Sequence, residues 1–199
     1  MNKMFFFIML VLGACAHNNN ESLREGHFTY EVGDTEHTGY IQSGAKMNEK
    51  VAGVLVVHEW WGHNEYAQSR VDKLAKLGYV AMSIDMYGEG KQADHPKDAG
   101  AFAKKAMSNF DLAKKRFTTA LEILKKRKDV DSSKLVAIGY CFGGGVVLNM
   151  ARSGVDLDLI ASFHGSLASE MSISKGYEGK ILVFNGEDDP MVKEAHVKS

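Results

Sequence analysis

The stretch Val136-Ala137-Ile138-Gly139-Tyr140-Cys141-Phe142-Gly143-Gly144-Gly145 carries an apolar run into a single cysteine set among glycines, then into Val146, Val147 and Met150. That order spells a buried strand, an abrupt turn and the start of a helix. It matches the G-x-S-x-G turn that lifts a nucleophile to the top of a sheet, with cysteine in the serine position. A strand that turns at once into a helix crowds its central residue, and glycines on either side leave room for the strain. The turn also sets the Cys141 sulfur at a helix N-terminus, where unpaired N–H groups and the helix dipole favour thiolate. The pattern therefore predicts a thiol that alkylates faster than one in an unstructured peptide. A glycine-rich turn holding an ordinary small apolar cysteine is the alternative that the motif alone leaves open.

Upstream and downstream of this turn the hydropathy pattern has one theme. Residues 51–57, 80–84, 135–138, 159–163 and 181–184 are nearly continuous apolar runs, as in strands buried on both faces. Helical spacing separates them, with Ala67, Val71, Leu74 and Leu77 ahead of Gly78, and Ala113, Phe117, Ala120, Leu121 and Leu124 in a longer stretch. Before them, residues 28–32 and 38–42 alternate around Gly33-Asp34, which predicts a hairpin of two edge strands. The fold class is α/β: a doubly wound, mostly parallel sheet with an N-terminal antiparallel hairpin. The 199 residues, 45% hydrophobic and 25% charged with two prolines, suit one domain with a substantial core. A formal net charge of -1 and the lack of a basic stripe argue against a nucleic-acid partner.

The chain begins MNKMFFFIMLVLGAC, in which Lys3 precedes an apolar run from Met4 to Leu12 and a small-residue end. This is the pattern of an export signal, too short to span a bilayer. Leu12-Gly13-Ala14-Cys15 resembles the lipobox of bacterial lipoproteins, which implies acylation of Cys15 and cleavage before it. Residues 1–14 then form a lipoprotein signal peptide, 15–26 a polar tether, and 27–199 the folded domain. Ala16 after the cysteine favours the outer membrane, so the expected place is the bacterial cell envelope, lipid-anchored and facing the periplasm. A cleaved secretory peptide with an incidental Cys15 is the other reading.

Two more segments end apolar runs with chemistry. Val56-Val57-His58-Glu59-Trp60-Trp61-Gly62 occupies the place where a strand-to-helix loop supplies an oxyanion N–H. Ile181-Leu182-Val183-Phe184-Asn185-Gly186-Glu187-Asp188-Asp189-Pro190-Met191-Val192 places an acid after the nucleophile in chain order. Together the HEWWG, GYCFGG and GEDD runs resemble the dienelactone hydrolase family from about residue 28 to the last residue. The resemblance implies an α/β-hydrolase fold and hydrolysis of a small-molecule ester or lactone by a cysteine nucleophile. Carried over by position, Cys141 is the nucleophile and Asp189 the acid, with Asp188 as runner-up. Glu59 contacts the thiol in the resting state, where its carboxylate repels thiolate and opposes the helix N-terminus, keeping the thiol protonated until substrate binds. The backbone N–H groups of Trp60 and Phe142 form the oxyanion hole. His58, Trp61, Tyr87 and His164 are expected to line the pocket. No cofactor, metal or protein partner is predicted.

The sequence departs from that family in two places. Dienelactone hydrolase places an arginine where Glu89 stands, so the charge partner of a substrate carboxylate is lost, with Lys91 nearby. The catalytic histidine is expected after a further helix and strand, on the order of twenty residues past the acid. Ten residues follow Asp189, and His196 is the histidine among them. The expectation is therefore a chain without its histidine loop, last strand and last helix, and a hydrolase that is inactive or slow in this form. The competing reading is a surface-tethered binding protein that keeps the fold without turnover. Thiol-redox use of Cys141 ranks third, since an acylated Cys15 leaves no resolving cysteine.

Overall fold

Residues 23–169, 171–192 and 194–197 are described by the computed structural model, so the expected signal segment, Cys15 and most of the tether lie outside the described residues. The predicted hairpin is present as β1 (Gly26–Val32) and β2 (Thr35–Ser43) around Gly33-Asp34. It is followed by β3 (Val51–Val57), α1 (Glu65–Lys76), β4 (Val80–Ile84), α2 (Pro96–Met107) and α3 (Phe110–Lys125). Then come β5 (Val130–Tyr140), α4 (Phe142–Arg152), β6 (Leu159–Phe163), β7 (Lys180–Phe184) and the short α5 (Glu194–Val197).

The described strands form one sheet in the order β1-β2-β4-β3-β5-β6-β7. β2 runs antiparallel to both β1 and β4, and the strands from β3 onward pair in parallel. This corrects the expectation of two edge strands. β1 is an edge, but Gly39–Ser43 of β2 is hydrogen-bonded on its other side to β4, and Ile41 is fully buried there.

Helices cover both faces. Leu55, Val57, Met82 and Ile84 meet Phe117 of α3 and Val147 and Met150 of α4 in the larger core. Val54, Val56 and Ala81 meet Val71 of α1 on the opposite face. Each fully buried Leu, Ile or Phe stabilises this packing by about 1.5–3 kcal/mol relative to exposure. The Asn64 carboxamide accepts from the Ala67 N–H and the Asn109 carboxamide from the Leu112 N–H, so α1 and α3 start on side-chain caps.

β7 departs from the expectation of burial on both faces. Leu182, Val183 and Phe184 are 42%, 43% and 49% exposed, because β7 pairs with β6 alone and its face borders a wide groove of about 1360 Å³. The apolar run was read correctly as strand, but its place at the margin of the described sheet was not legible from hydropathy.

Candidate active site

The parallel register gathers the chemistry at one edge. Val57 lies opposite both Ile84 and Gly139, Tyr140 opposite Phe163, and Phe163 opposite Phe184. The loops that leave these strands begin at His58, Asp85, Cys141, His164 and Asn185, so residues far apart in sequence share the carboxyl end of the sheet. That is where ligands bind in open α/β sheets.

Cys141 adopts φ 52°, ψ -111° between β5 and α4, a left-handed conformation that an L side chain rarely takes. Its N–H donates to Phe163 O at 2.8 Å, which ties the turn to β6. The flanking glycines are sterically required: a Cβ on Gly139 would lie 2.0 Å from Gly143 O, and one on Gly143 would lie 2.4 Å from Val57 O. The steric argument drawn from the sequence motif therefore holds.

The thiol's ionisation runs against the expectation drawn from the helix N-terminus. Burial pushes the Cys141 thiol up, and the carboxylates of Glu59 and Asp189 add to the rise. The backbone N–H groups of Phe142 and Trp60 oppose the rise and are outweighed. The helix N-terminus does favour thiolate, but desolvation and two nearby negative charges win. A resting, protonated thiol follows in place of an acidic one.

Asp189 sits in the turn after β7, where its carboxylate accepts the Met191 N–H at 2.9 Å. That bond and the imidazole of His164 hold the carboxyl below its ordinary range, burial opposing them. His164 Nδ1 bonds Asp189 Oδ2, and the His164 N–H donates to Phe184 O at 2.8 Å. His164 itself is in the left-handed region at φ 57°. Asp188 is exposed on the same turn, and the imidazole engages Asp189, not Asp188.

A cavity of about 330 Å³ opens over the elbow, and its walls include Trp60, Met107, Cys141, Phe142, Val146 and His164. Among the described residues, none that lines it is Lys, Arg, Asp or Glu. His58, Trp61 and Tyr87, expected in the wall, do not line it: His58 and Tyr87 are buried behind Phe142, and Trp61 packs edge-on against Trp60. The Glu59 carboxylate acts electrostatically on both Cys141 and Arg70. Glu89 is exposed and paired with Lys91, so neither offers a charge to the cavity. His196 lines the separate groove beside β7 with Asn185 and Glu187.

Residues 38–199 match the model of the dienelactone hydrolase family. The chain belongs to that family. Protein usf of Aquifex pyrophilus is 35% identical over 139 residues, covering 63% of this chain and 59% of its own. The solved structure of m3DLH superposes with a TM-score of 0.81 at 31% identity, over 89% of this chain and 74% of that one. The dienelactone hydrolase-like promiscuous phosphotriesterase P91 from metagenomic libraries gives 0.77 at 32%, over 86% and 72%. The chain thus spans about three fifths of the length of its Aquifex relative.

Within this dienelactone hydrolase fold, two buried histidines hold the loops beneath the cavity. His63 bonds Ser83 Oγ through Nε2 at 2.8 Å and Thr38 Oγ1 through Nδ1 at 3.0 Å. His58 Nε2 accepts the Met86 N–H at 3.1 Å, so its proton resides on Nδ1, which donates to Glu59 O. Burial lowers both pKa values, His63's to about 4. Their folded values lie below the unfolded value near 6.5, so the unfolded chain binds more protons as pH falls. The stability held by the neutral rings is complete above about pH 6.5 and is lost progressively toward about pH 4, by about 1.4 kcal/mol per unit of pKa difference. Thermal unfolding between about pH 8 and pH 4 is expected to show the midpoint falling across this window, and His63→Gln to flatten the slope. An equal slope in the variant would contradict the assignment.

Proposed function

We propose that this protein hydrolyses a small, uncharged carboxylic ester or lactone through Cys141. The observation that carries the reading is a cysteine held in a strained elbow under two backbone donors, in one cavity with the imidazole that Asp189 holds. The cavity's apolar walls and lack of charged lining favour a neutral substrate, in keeping with Glu89 in place of an arginine. A promiscuous phosphotriesterase among the structural relatives acts on neutral esters of another acid, which fits the same preference.

In this mechanism Asp189 orients His164 through Nδ1, and His164 takes the thiol proton as the sulfur attacks the substrate carbonyl carbon. Negative charge gathers on the carbonyl oxygen and is received by the N–H groups of Trp60 and Phe142. The imidazolium returns the proton to the leaving alkoxide, and a thioester on Cys141 remains. Water activated by the same imidazole then cleaves the thioester, releasing the acid and restoring the thiol. Because the resting thiol is protonated, the proton transfer is part of each turnover and not a step completed beforehand. This reading gives His164 a larger role than the place in the cavity wall assigned from sequence.

The domain is further proposed to be lipid-anchored in the bacterial envelope through Cys15, on the strength of the lipobox alone; no described helix is long and apolar enough to cross a membrane. In a Gram-negative host the full chain should then fractionate with membranes and Cys15→Ser should not, whereas a soluble periplasmic wild type would refute the anchor.

Turnover of p-nitrophenyl acetate by residues 15–199 is expected to be slow and to vanish in Cys141→Ala. Asp189→Asn should reduce it by up to about 10⁴-fold, and His164→Gln by about 10²-fold or more, while His196→Ala leaves it unchanged. Activity that survives Cys141→Ala would favour adventitious hydrolysis and a binding protein. Activity lost in His196→Ala but kept in His164→Gln would move the base to α5.

A further inference from the structure

We infer that His58 and Tyr87 form a two-point clamp that aims the Trp60 N–H at the reacting centre. The catalytic meaning of the clamp rests on the hydrolase reading above; the geometry does not. The Trp60 N–H and the Glu59 carbonyl are opposite ends of one planar peptide group, so fixing the carbonyl fixes the direction of the N–H. His58 Nδ1–H donates to that carbonyl, while Trp60 and Cys141 line the same cavity and the Trp60 N–H favours the Cys141 thiolate. The next peptide group is held as well, because Tyr87 Oη donates to the Trp60 carbonyl at 2.8 Å. Both planes that meet at the Trp60 Cα are therefore pinned by side-chain hydrogen bonds, and the Tyr87 phenol is itself near enough to Cys141 to interact with it electrostatically.

The clamp is anchored in turn. His58 is 1% exposed and its Nε2 accepts from Met86 N–H, which locks the ring in the tautomer that donates to Glu59 O. Tyr87 is 7% exposed, with its ring against His58, Phe102 and Phe142. The buried Asp85 carboxylate accepts the N–H groups of Tyr87, Gly88 and Gly90 at 2.7, 3.0 and 3.1 Å, which fixes the loop that carries the phenol. The β4 loop thus braces the β3 loop at two points, while Phe142, the other oxyanion donor, stacks on the same His58 ring at 5.7 Å. A hydrogen bond accepted by the Glu59 carbonyl also polarises its peptide group, which makes the Trp60 N–H a stronger donor. His58 and Tyr87 are positioning residues: neither is among the residues that line the cavity, and each holds the Trp60 backbone by a hydrogen bond.

Tyr87→Phe keeps the ring and deletes one hydrogen bond, so it isolates the clamp from packing. It is expected to lower kcat for p-nitrophenyl acetate about ten-fold with KM unchanged, since a misaimed donor weakens transition-state binding alone. His58→Ala should lower kcat further, and His58→Asn, whose amide supplies a donor near the Nδ1 position, should recover part of the loss. A second readout needs no turnover: the rate of Cys141 alkylation by iodoacetamide against pH. Because the Trp60 N–H favours thiolate, Tyr87→Phe should move this profile to higher pH. If the wild type shows no measurable turnover in this form, the alkylation profile alone decides the clamp. A folded Tyr87→Phe protein with an unshifted alkylation profile would overturn it, as would a raised KM at unchanged kcat.

Discussion

A single residue held in the left-handed region at the end of a buried strand is the constraint on which this molecule depends. Cys141 occupies that conformation because β5 must turn into α4 within one residue, and because two glycines let the backbone pass within contact distance of itself and of β3. A side chain at Gly139 or Gly143 would meet backbone atoms, which cannot move aside as a flexible side chain can. The strain costs about 1–3 kcal/mol and persists because sheet and helix packing over-determine it. What it yields is placement: the sulfur stands at a helix N-terminus, above the sheet and below a cavity. The other functional groups reach it from loops on β3, β6 and β7, all leaving the same edge.

The electrostatics of that position show two effects in opposition. Backbone N–H groups favour thiolate, while burial and two carboxylates favour thiol, and the second set prevails. Each has a use in an ester hydrolase. A protonated resting thiol resists oxidation and stray alkylation, because the thiolate is the reactive form. In the proposed mechanism the donors lose nothing by this balance, since their task there is to receive charge that appears on the substrate oxygen only during attack. The buried loop histidines stay neutral, with the nitrogens of His58 spent on backbone groups and those of His63 on the hydroxyls of Ser83 and Thr38.

Much of this was legible in the sequence, for reasons that differ by element. Continuous apolar runs at β3, β4, β5 and β6 read as strands buried on both faces because that is where parallel strands of a covered sheet lie. Cys141 and its glycines declared themselves because local sterics determine them. The choice of Asp189 over Asp188 in the turn after β7 came from the family resemblance, and in the structure it is Asp189 that the His164 imidazole engages. What could not be read was set by pairing between distant segments. Nothing in the 25 positions separating His164 from Asp189 says that they touch; that follows from β6 lying beside β7 with Phe163 opposite Phe184. Likewise, β2 looked like an edge because its alternation resembles one, yet β4 covers it. The helix N-terminus and the opposing Glu59 carboxylate are both visible in sequence, but the burial that joins Glu59 and decides the direction of the thiol's shift is not. His58 and Tyr87 were recognised as near the site, but their place behind Phe142 needed three loops in register.

The claim at the centre is that the Cys141 sulfur attacks an ester carbonyl and carries the acyl group. The most direct measurement is to mix the protein with p-nitrophenyl acetate, quench in acid at short times, and locate the added mass by peptide mapping. The account predicts one acetyl group on the peptide containing Cys141, formed as nitrophenol is released and decaying at the rate of turnover. Release of nitrophenol with no acetyl on Cys141, or with acetyl confined to lysines and other surface groups, would contradict it.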